Sequence, residues 1–163
     1  MGVRLFVLDT LKESSDSRDT ETWKSMERDM VDLYDVVKPA AKNVALFVTY
    51  QLGKASVKIR YLTNNEIGQA KNILDVFSVN LMMRKPSEDE FPGGSHEIKA
   101  YKLAGKNNSS KIPYHLDPDK HYMITFITKN RFGATDQFQI ISEYDLSTNM
   151  HKDVAICNIA QDF

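Results

Sequence analysis

Cysteine is almost absent from this 163-residue chain, Cys157 being the only one. One thiol closes no internal disulfide and builds no Cys-rich zinc module, which fits a reducing compartment and favours the cytoplasm. Long apolar runs are missing as well. Nothing approaches the ~18 uninterrupted apolar residues of a bilayer-spanning helix. Asp9 ends the opening run Val3–Leu8 almost at once, so no signal-peptide pattern forms and no membrane role is expected. Excess charge of either sign is lacking: 21 Lys and Arg against 22 Asp and Glu leave a net charge of −1. That balance argues against a basic nucleic-acid coat protein, yet a local basic loop remains compatible with it. No repeat of roughly 20 to 50 residues is present, which excludes solenoids and propellers. The length suits a single domain with a sizeable core.

What is present reads as alternating strands and helices. Val3–Leu8 has the look of a buried parallel strand ending in an acid. After a polar stretch, Trp23, Met26, Met30, Leu33, Tyr34 and Val37 fall at helical spacing, with Asp19 or Thr20 as N-cap and Pro39 as terminator. Val44–Tyr50 lacks alternation and reads as a second strand covered on both faces. Asn64 or Asn65 can cap a helix carrying Ile67, Ala70, Leu74 and Phe77 on one face, leading to a strand over Val79–Met83. Residues 86–120 are polar and broken by Pro and Gly, a loop or insertion in which only Glu97–Leu103 alternates enough for a short hairpin or edge strand. Tyr122–Thr128 and Phe138–Tyr144 read as a hairpin around the Lys129–Gly133 turn, and the tail from Met150 carries no assignment.

The chemistry lies at the strand ends, where open α/β sheets bind their ligands. Asp9 has the position of an acid that holds Mg²⁺, or of a plain helix cap. Gln51 can sense a γ-phosphate or position a water, or hydrogen-bond nearby backbone. Lys129 and Arg131, two apart on an extended segment, can reach one phosphate, or decorate a solvated hairpin edge.

In order and spacing these pieces resemble the DnaB-type replicative helicases over most of the chain. Leu5–Leu11 (LFVLDTL) resembles the family's Walker-B strand with Asp9 as the metal-holding acid, and Val48–Leu52 (VTYQL) resembles its third motif with Gln51 as sensor. Glu66–Gln69 (EIGQ) is similar to the stretch after the DNA-binding loop, although Gly68 stands where an acidic residue is usual. Ile127–Gly133 (ITKNRFG) is the most specific likeness, matching a fourth motif in which a strand precedes Lys, any residue, Arg, any residue, Gly. The resemblance implies a RecA-like, mostly parallel α/β sheet with flanking helices and a C-terminal antiparallel hairpin. It implies ATP and Mg²⁺ as cofactors, a hexameric ring of identical subunits, and single-stranded DNA as partner. Lys129 and Arg131 would act across a subunit boundary on a neighbour's γ-phosphate, while Lys54, Lys58 and Arg60 would line the DNA channel.

The likeness breaks at the phosphate loop, GxxxxGK[ST]. Gly53-Lys54 has Val48 where the first Gly belongs and Ala55 after the Lys, and Gly105-Lys106 has Ala100 and Asn107 in those places. A RecA-like domain without this strand is a partial one, with a gap between Val44–Tyr50 and Val79–Met83 and no useful ATPase activity of its own. The chain then reads as the C-terminal half of a helicase motor. Two alternatives stand beside it: a non-catalytic single-stranded-DNA-binding or regulatory subunit derived from a helicase, and another RecA-like ATPase of recombinase type. The cluster His115, Asp117, Asp119, His121 has no established metal-ligand spacing and reads as a turn around Pro118, and Cys157 reads as buried filler.

Overall fold

The computed structural model describes residues 4–10, 22–38, 44–52, 58–66, 73–135 and 137–159. Lys54 and the expected helical positions Ile67 and Ala70 lie outside them. The chain divides into two compact units, Met1–Ser56 with Asn64–Phe77, and Val57–Thr63 with Ser78–Phe163.

In the first unit, β1 (Leu5–Leu8) pairs in parallel with β2 (Ala45–Val48), Leu5 opposite Ala45 through to Leu8 opposite Val48. Backbone N–H groups of Ala45 and Thr49 donate to the carbonyls of Arg4 and Leu8, extending the ladder by one step at each end. Parallel strands need a crossover, and helix α1 (Thr22–Val37) supplies it. Met30, on the helix, is 1% exposed and packs against Leu8, Leu33, Leu46, Val48, Tyr50, Val76 and Phe77. Val76 belongs to the one-turn helix α2 (Ile73–Val76), which lies against α1. The expected two strands and first helix are therefore present, but β1 is not buried and β2 is not covered on both faces. Leu5, Phe6, Val7 and Phe47 stay more than half exposed.

The second unit is a six-stranded sheet in the order β3-β6-β7-β8-β4-β5, every pairing antiparallel. Its strands are β3 (Val79–Arg84), β4 (Ala100–Ala104), β5 (Ser110–Tyr114), β6 (Tyr122–Asn130), β7 (Gln139–Asp145) and β8 (Met150–Cys157). The expected hairpin from Tyr122 to Tyr144 is present as β6 and β7. Side chains of Tyr122, Ile124, Phe126, Ile141 and Cys157 form a core that excludes water almost completely.

This architecture corrects the RecA-like expectation. The regular structure of the described residues is mostly strand, with α1 and α2 as their only α-helices and a parallel pairing confined to β1 and β2. The strand expected over Val79–Met83 belongs to a different sheet from β1 and β2 and runs antiparallel to β6, so no mid-sheet gap separates it from Val44–Tyr50. The physical reason for the misreading is legible in β3. Its burial alternates, with Asn80 and Met82 inside, but the outward positions Val79, Leu81 and Met83 are apolar too, so the sequence mimics a strand covered on both faces. Asn80 can face inward because its amide donates to Thr128 Oγ1 at 2.7 Å on the neighbouring strand.

A buried ion pair ties this sheet to the segments around it. Glu90 is 2% exposed, and Arg84, at the end of β3, binds both its carboxylate oxygens at 2.6 Å. The same guanidinium donates to the Arg60 carbonyl at 2.6 Å and lies 5.7 Å from the Phe126 ring centroid. Ser87 N–H completes the carboxylate's partners at 2.7 Å. Nearer the surface, Arg60 forks onto both oxygens of Asp89, one contact measuring 3.2 Å, and His96 Nδ1 lies 3.1 Å from the same carboxylate.

Removing one partner of a buried pair strands the other, at a cost of about 3–5 kcal/mol. Glu90→Ala should therefore lower the urea-unfolding free energy by about that much, and a loss under 1 kcal/mol would mean that Arg84 finds another partner. The pair at Asp89 makes a prediction in pH. Its hydrogen bonds from Arg60, more than the accompanying charge attraction, hold the carboxyl below the ordinary 3.8. A lowered folded-state pKa adds stability that is present above 3.8 and disappears as pH falls through the folded value. Asp89→Asn should thus destabilise the chain at neutral pH, with the difference closing as unfolding is measured at pH falling from the ordinary 3.8 through the lower folded value.

Candidate functional site

The βαβ unit carries its polar residues where the two parallel strands end. Leu8 is opposite Val48, so Asp9 and Thr49 come next on adjacent strands, and Thr49 Oγ1 donates a hydrogen bond to Asp9 Oδ1. Thr10 Oγ1 donates to the same oxygen at 3.1 Å, across a cis peptide bond. Asp9 is exposed and Thr49 half-buried. Gln51 follows Thr49 by two residues and is exposed as well. The intervening Tyr50 is anchored, its ring stacked on Phe77 with centroids 6.5 Å apart, which fixes the chain as it leaves β2. A carboxylate held at one oxygen by two threonine hydroxyls, at the carboxyl end of parallel strands, is an oxygen-rich setting that suits a hard cation completed by water and phosphate. The donor set therefore fits Mg²⁺ as an incomplete site: it supplies one carboxylate, and among the described residues no group of three or more His, Cys, Asp or Glu could hold a metal by itself.

Lys129 and Arg131 belong to the second unit, at the outgoing end of β6. Lys129 is half-buried opposite Asn80, and Arg131 is exposed in the turn beyond, its backbone N–H donating to Ser78 at 2.9 Å. Asn130 shapes this turn by accepting the Phe132 N–H at 3.0 Å. Gly133 leaves room for that same side chain, since a Cβ there would sit 3.1 Å from Asn130 Nδ2. Phe132 at the tip is 81% exposed. The structure thus brings Asp9, Thr49 and Gln51 to one strand end, and Lys129 and Arg131 to one turn of the other unit.

Of the expected DNA-contacting cations, Lys58 is exposed and Arg60 is the guanidinium held by Asp89. The His115–His121 cluster does behave as a turn. Asp117 Oδ1 accepts the Asp119 N–H at 3.0 Å, His115 lies 3.9 Å from Glu97, and the His121 ring is tilted against that of Tyr144 with centroids 5.6 Å apart. Sequence reasoning passed over Thr49, whose role depends on the pairing partner of β1, and over the lysine and tyrosine side chains of β4 and β5, although alternation over Glu97–Leu103 marks a short hairpin or edge strand there. Their signal was present as alternation with lysine, from Lys99 to Lys102 and again at Lys111.

No protein-family model and no curated protein sequence matches the chain. No helix among the described residues is long and apolar enough to cross a membrane.

Cys157 is fully buried beside Gln139, and burial pushes its thiol up to about 12. A thiol so shifted is almost entirely protonated at neutral pH and is a poor nucleophile. A thiol-reactive disulfide reagent should leave the native chain unlabelled at pH 8 and label one equivalent after urea unfolding. Rapid labelling of the folded chain would show that Cys157 is reached from solvent.

Proposed function

We propose that this chain contributes to the ATP-driven motor of a replicative-type DNA helicase, working on a nucleotide held partly by polypeptide outside these 163 residues. The observation that carries the reading is the strand-end group of Asp9 and Thr49 on parallel neighbours, with Gln51 just beyond. It rests on the chemistry of those strand ends and on the collinear motifs, and does not require a mostly parallel sheet, since function resides in sites and not in architecture.

In this reading Asp9 is the carboxylate that holds Mg²⁺, and the bound metal would neutralise charge on the β- and γ-phosphates. Thr49 and Thr10 restrict the carboxylate by donating to Oδ1, so its orientation is set before nucleotide arrives. Gln51 would orient the attacking water or report the γ-phosphate. Lys129 and Arg131 would supply positive charge to a triphosphate bound by a neighbouring subunit, stabilising charge that develops in the transition state. Because no GxxxxGK[ST] occurs in the sequence, the phosphate cradle has to come from elsewhere. The same absence favours a second reading, a non-catalytic DNA-binding or regulatory subunit.

The two readings part in one experiment. The chain is co-expressed with the phosphate-loop half of a DnaB-type motor domain, and DNA-stimulated ATP hydrolysis is measured. The motor reading expects turnover that neither polypeptide shows alone. Asp9→Asn should abolish it, and Arg131→Ala should reduce kcat by about 10³-fold or more, as loss of an arginine finger does. A soluble pair without ATPase activity, or activity indifferent to Asp9→Asn, sinks the motor reading and leaves the non-catalytic one.

A further inference from the structure

The hairpin of β4 and β5 has no counterpart in the motor reading. From Ile98 to Leu116 the sequence contains Lys99, Lys102, Lys106 and Lys111 and not one acidic residue. It occupies one edge of the sheet: β5 pairs only with β4 among the described strands, and β4 meets β8 only through Ala100 and Tyr101. Its turn is fixed by positive φ values at Gly105, Asn107 and Asn108, with Lys106 at the tip.

The register sorts the side chains by face. Tyr101 is opposite Pro113 and Leu103 is opposite Lys111, so Tyr101, Leu103, Lys111 and Pro113 share one face. Lys102, Ile112 and Tyr114 share the other. On each face one ammonium lies over one ring, Lys111 at 4.3 Å from the Tyr101 centroid and Lys102 at 4.6 Å from that of Tyr114. The faces are not equivalent. Tyr114 turns its hydroxyl toward Tyr122, 3.4 Å away. The Tyr101 face opens on a groove of about 270 Å³ whose lining includes Glu97, Lys99, Tyr101, Lys111, His115 and, from the other face, Tyr114. That volume is just below the ~300–1,000 Å³ of drug-sized pockets, and suits a single base or sugar. Glu97 does not make the groove acidic: its carboxylate accepts the Gly93 N–H at 3.2 Å and faces Lys99 at 3.4 Å and His115 at 3.9 Å.

Lysines on an edge hairpin discourage strand pairing wherever they stand. The placement of cations over tyrosine rings beside a base-sized groove goes further. We propose that the Tyr101 face of this hairpin binds single-stranded nucleic acid, with Lys111 and Lys106 on backbone phosphates and Tyr101 against a base. A phosphate held by Lys111 brings its nucleotide next to the ring, so one contact positions the other. Single strands are selected because only an unpaired base offers its face for stacking. The surface shares with the motor reading only the expectation of a nucleic-acid partner, and needs no ATP.

The test is fluorescence anisotropy of a labelled oligothymidylate with the full chain, without nucleotide, across about 50 to 200 mM salt. Replacing Lys106 and Lys111 by Ala should flatten the slope of log K against log salt by about 0.7 for each lost phosphate contact. Tyr101→Leu should weaken binding roughly 5- to 150-fold, the range for loss of one stacked base, with Tyr101→Phe close to the parent. Lys102→Ala, the same charge change on the opposite face, should weaken binding less than Lys111→Ala. The exposed lysine variants keep the test sound if Tyr101→Leu unfolds. No binding at low salt, equal losses at Lys102 and Lys111, or competition by polyglutamate as effective as by unlabelled oligonucleotide would overturn the proposal. Loss of binding in these variants with ATPase activity of the co-expressed pair retained would leave the motor reading intact. Binding retained without ATPase would remove the motor reading alone.

Discussion

A carboxylate cannot be taken out of water without an answer to its charge, and Glu90 is almost wholly buried. Arg84 answers it with two parallel hydrogen bonds, and its third donor reaches the Arg60 carbonyl. One guanidinium thereby joins the end of an edge strand, the 58–63 segment and the turn at Glu88–Glu90, while lying over the Phe126 ring. Both oxygens of Glu90 and three donors of Arg84 are committed to named partners, so neighbouring segments have little freedom to shift. Asp89, one residue before Glu90, then meets Arg60 from the same segment, adding a surface pair to the buried one.

That anchoring bears on function because it decides which cations face solvent. Arg60 is drawn onto Asp89, whereas Lys102, Lys106 and Lys111 have no carboxylate within salt-bridge distance among the described residues. The β4–β5 hairpin therefore presents positive charge that a polyanion can reach. The candidate nucleotide chemistry is held by a different device. Parallel pairing of β1 and β2 puts Asp9 beside Thr49, forty positions apart in sequence, and the helix between them fills the core behind that strand end through Met30. The first unit thus presents oxygen donors at a strand end, and the second presents the lysine and tyrosine hairpin besides the turn of Lys129 and Arg131.

Much of the element inventory was legible from the sequence. Two short apolar runs bounded by polar residues marked β1 and β2, helical spacing of Met30, Leu33 and Val37 marked α1, and the strand-like runs on either side of the Lys129–Gly133 turn marked β6 and β7. The sheet architecture was not legible. Apolar residues on the outward face of β3 erased the alternation that separates a one-sided antiparallel strand from a buried parallel one. The polar opening of β8, His151 to Asp153, concealed a strand whose buried half begins only at Ala155. Alternation over Glu97–Leu103 marked the hairpin that holds β4, while proline and glycine around β5 suggested loop, because Pro113 sits on an edge strand that asks no ladder hydrogen bond of it on its outer side.

Local chemistry, set by neighbours in the chain, was determined by the sequence itself: an acid ending a strand at Asp9, an Asn-stabilised turn carrying Arg131, a helix stopped before Pro39, and an acid-free run from Ile98 to Leu116. Tertiary structure alone decided which strands pair, which lysines lie over which rings, that Arg60 spends its guanidinium on Asp89, and that Thr49 supports Asp9. The reason is physical. Periodicity and turn propensity act over a few residues, whereas pairing and burial depend on which distant segments exclude water together, and a segment's own composition does not name its partner.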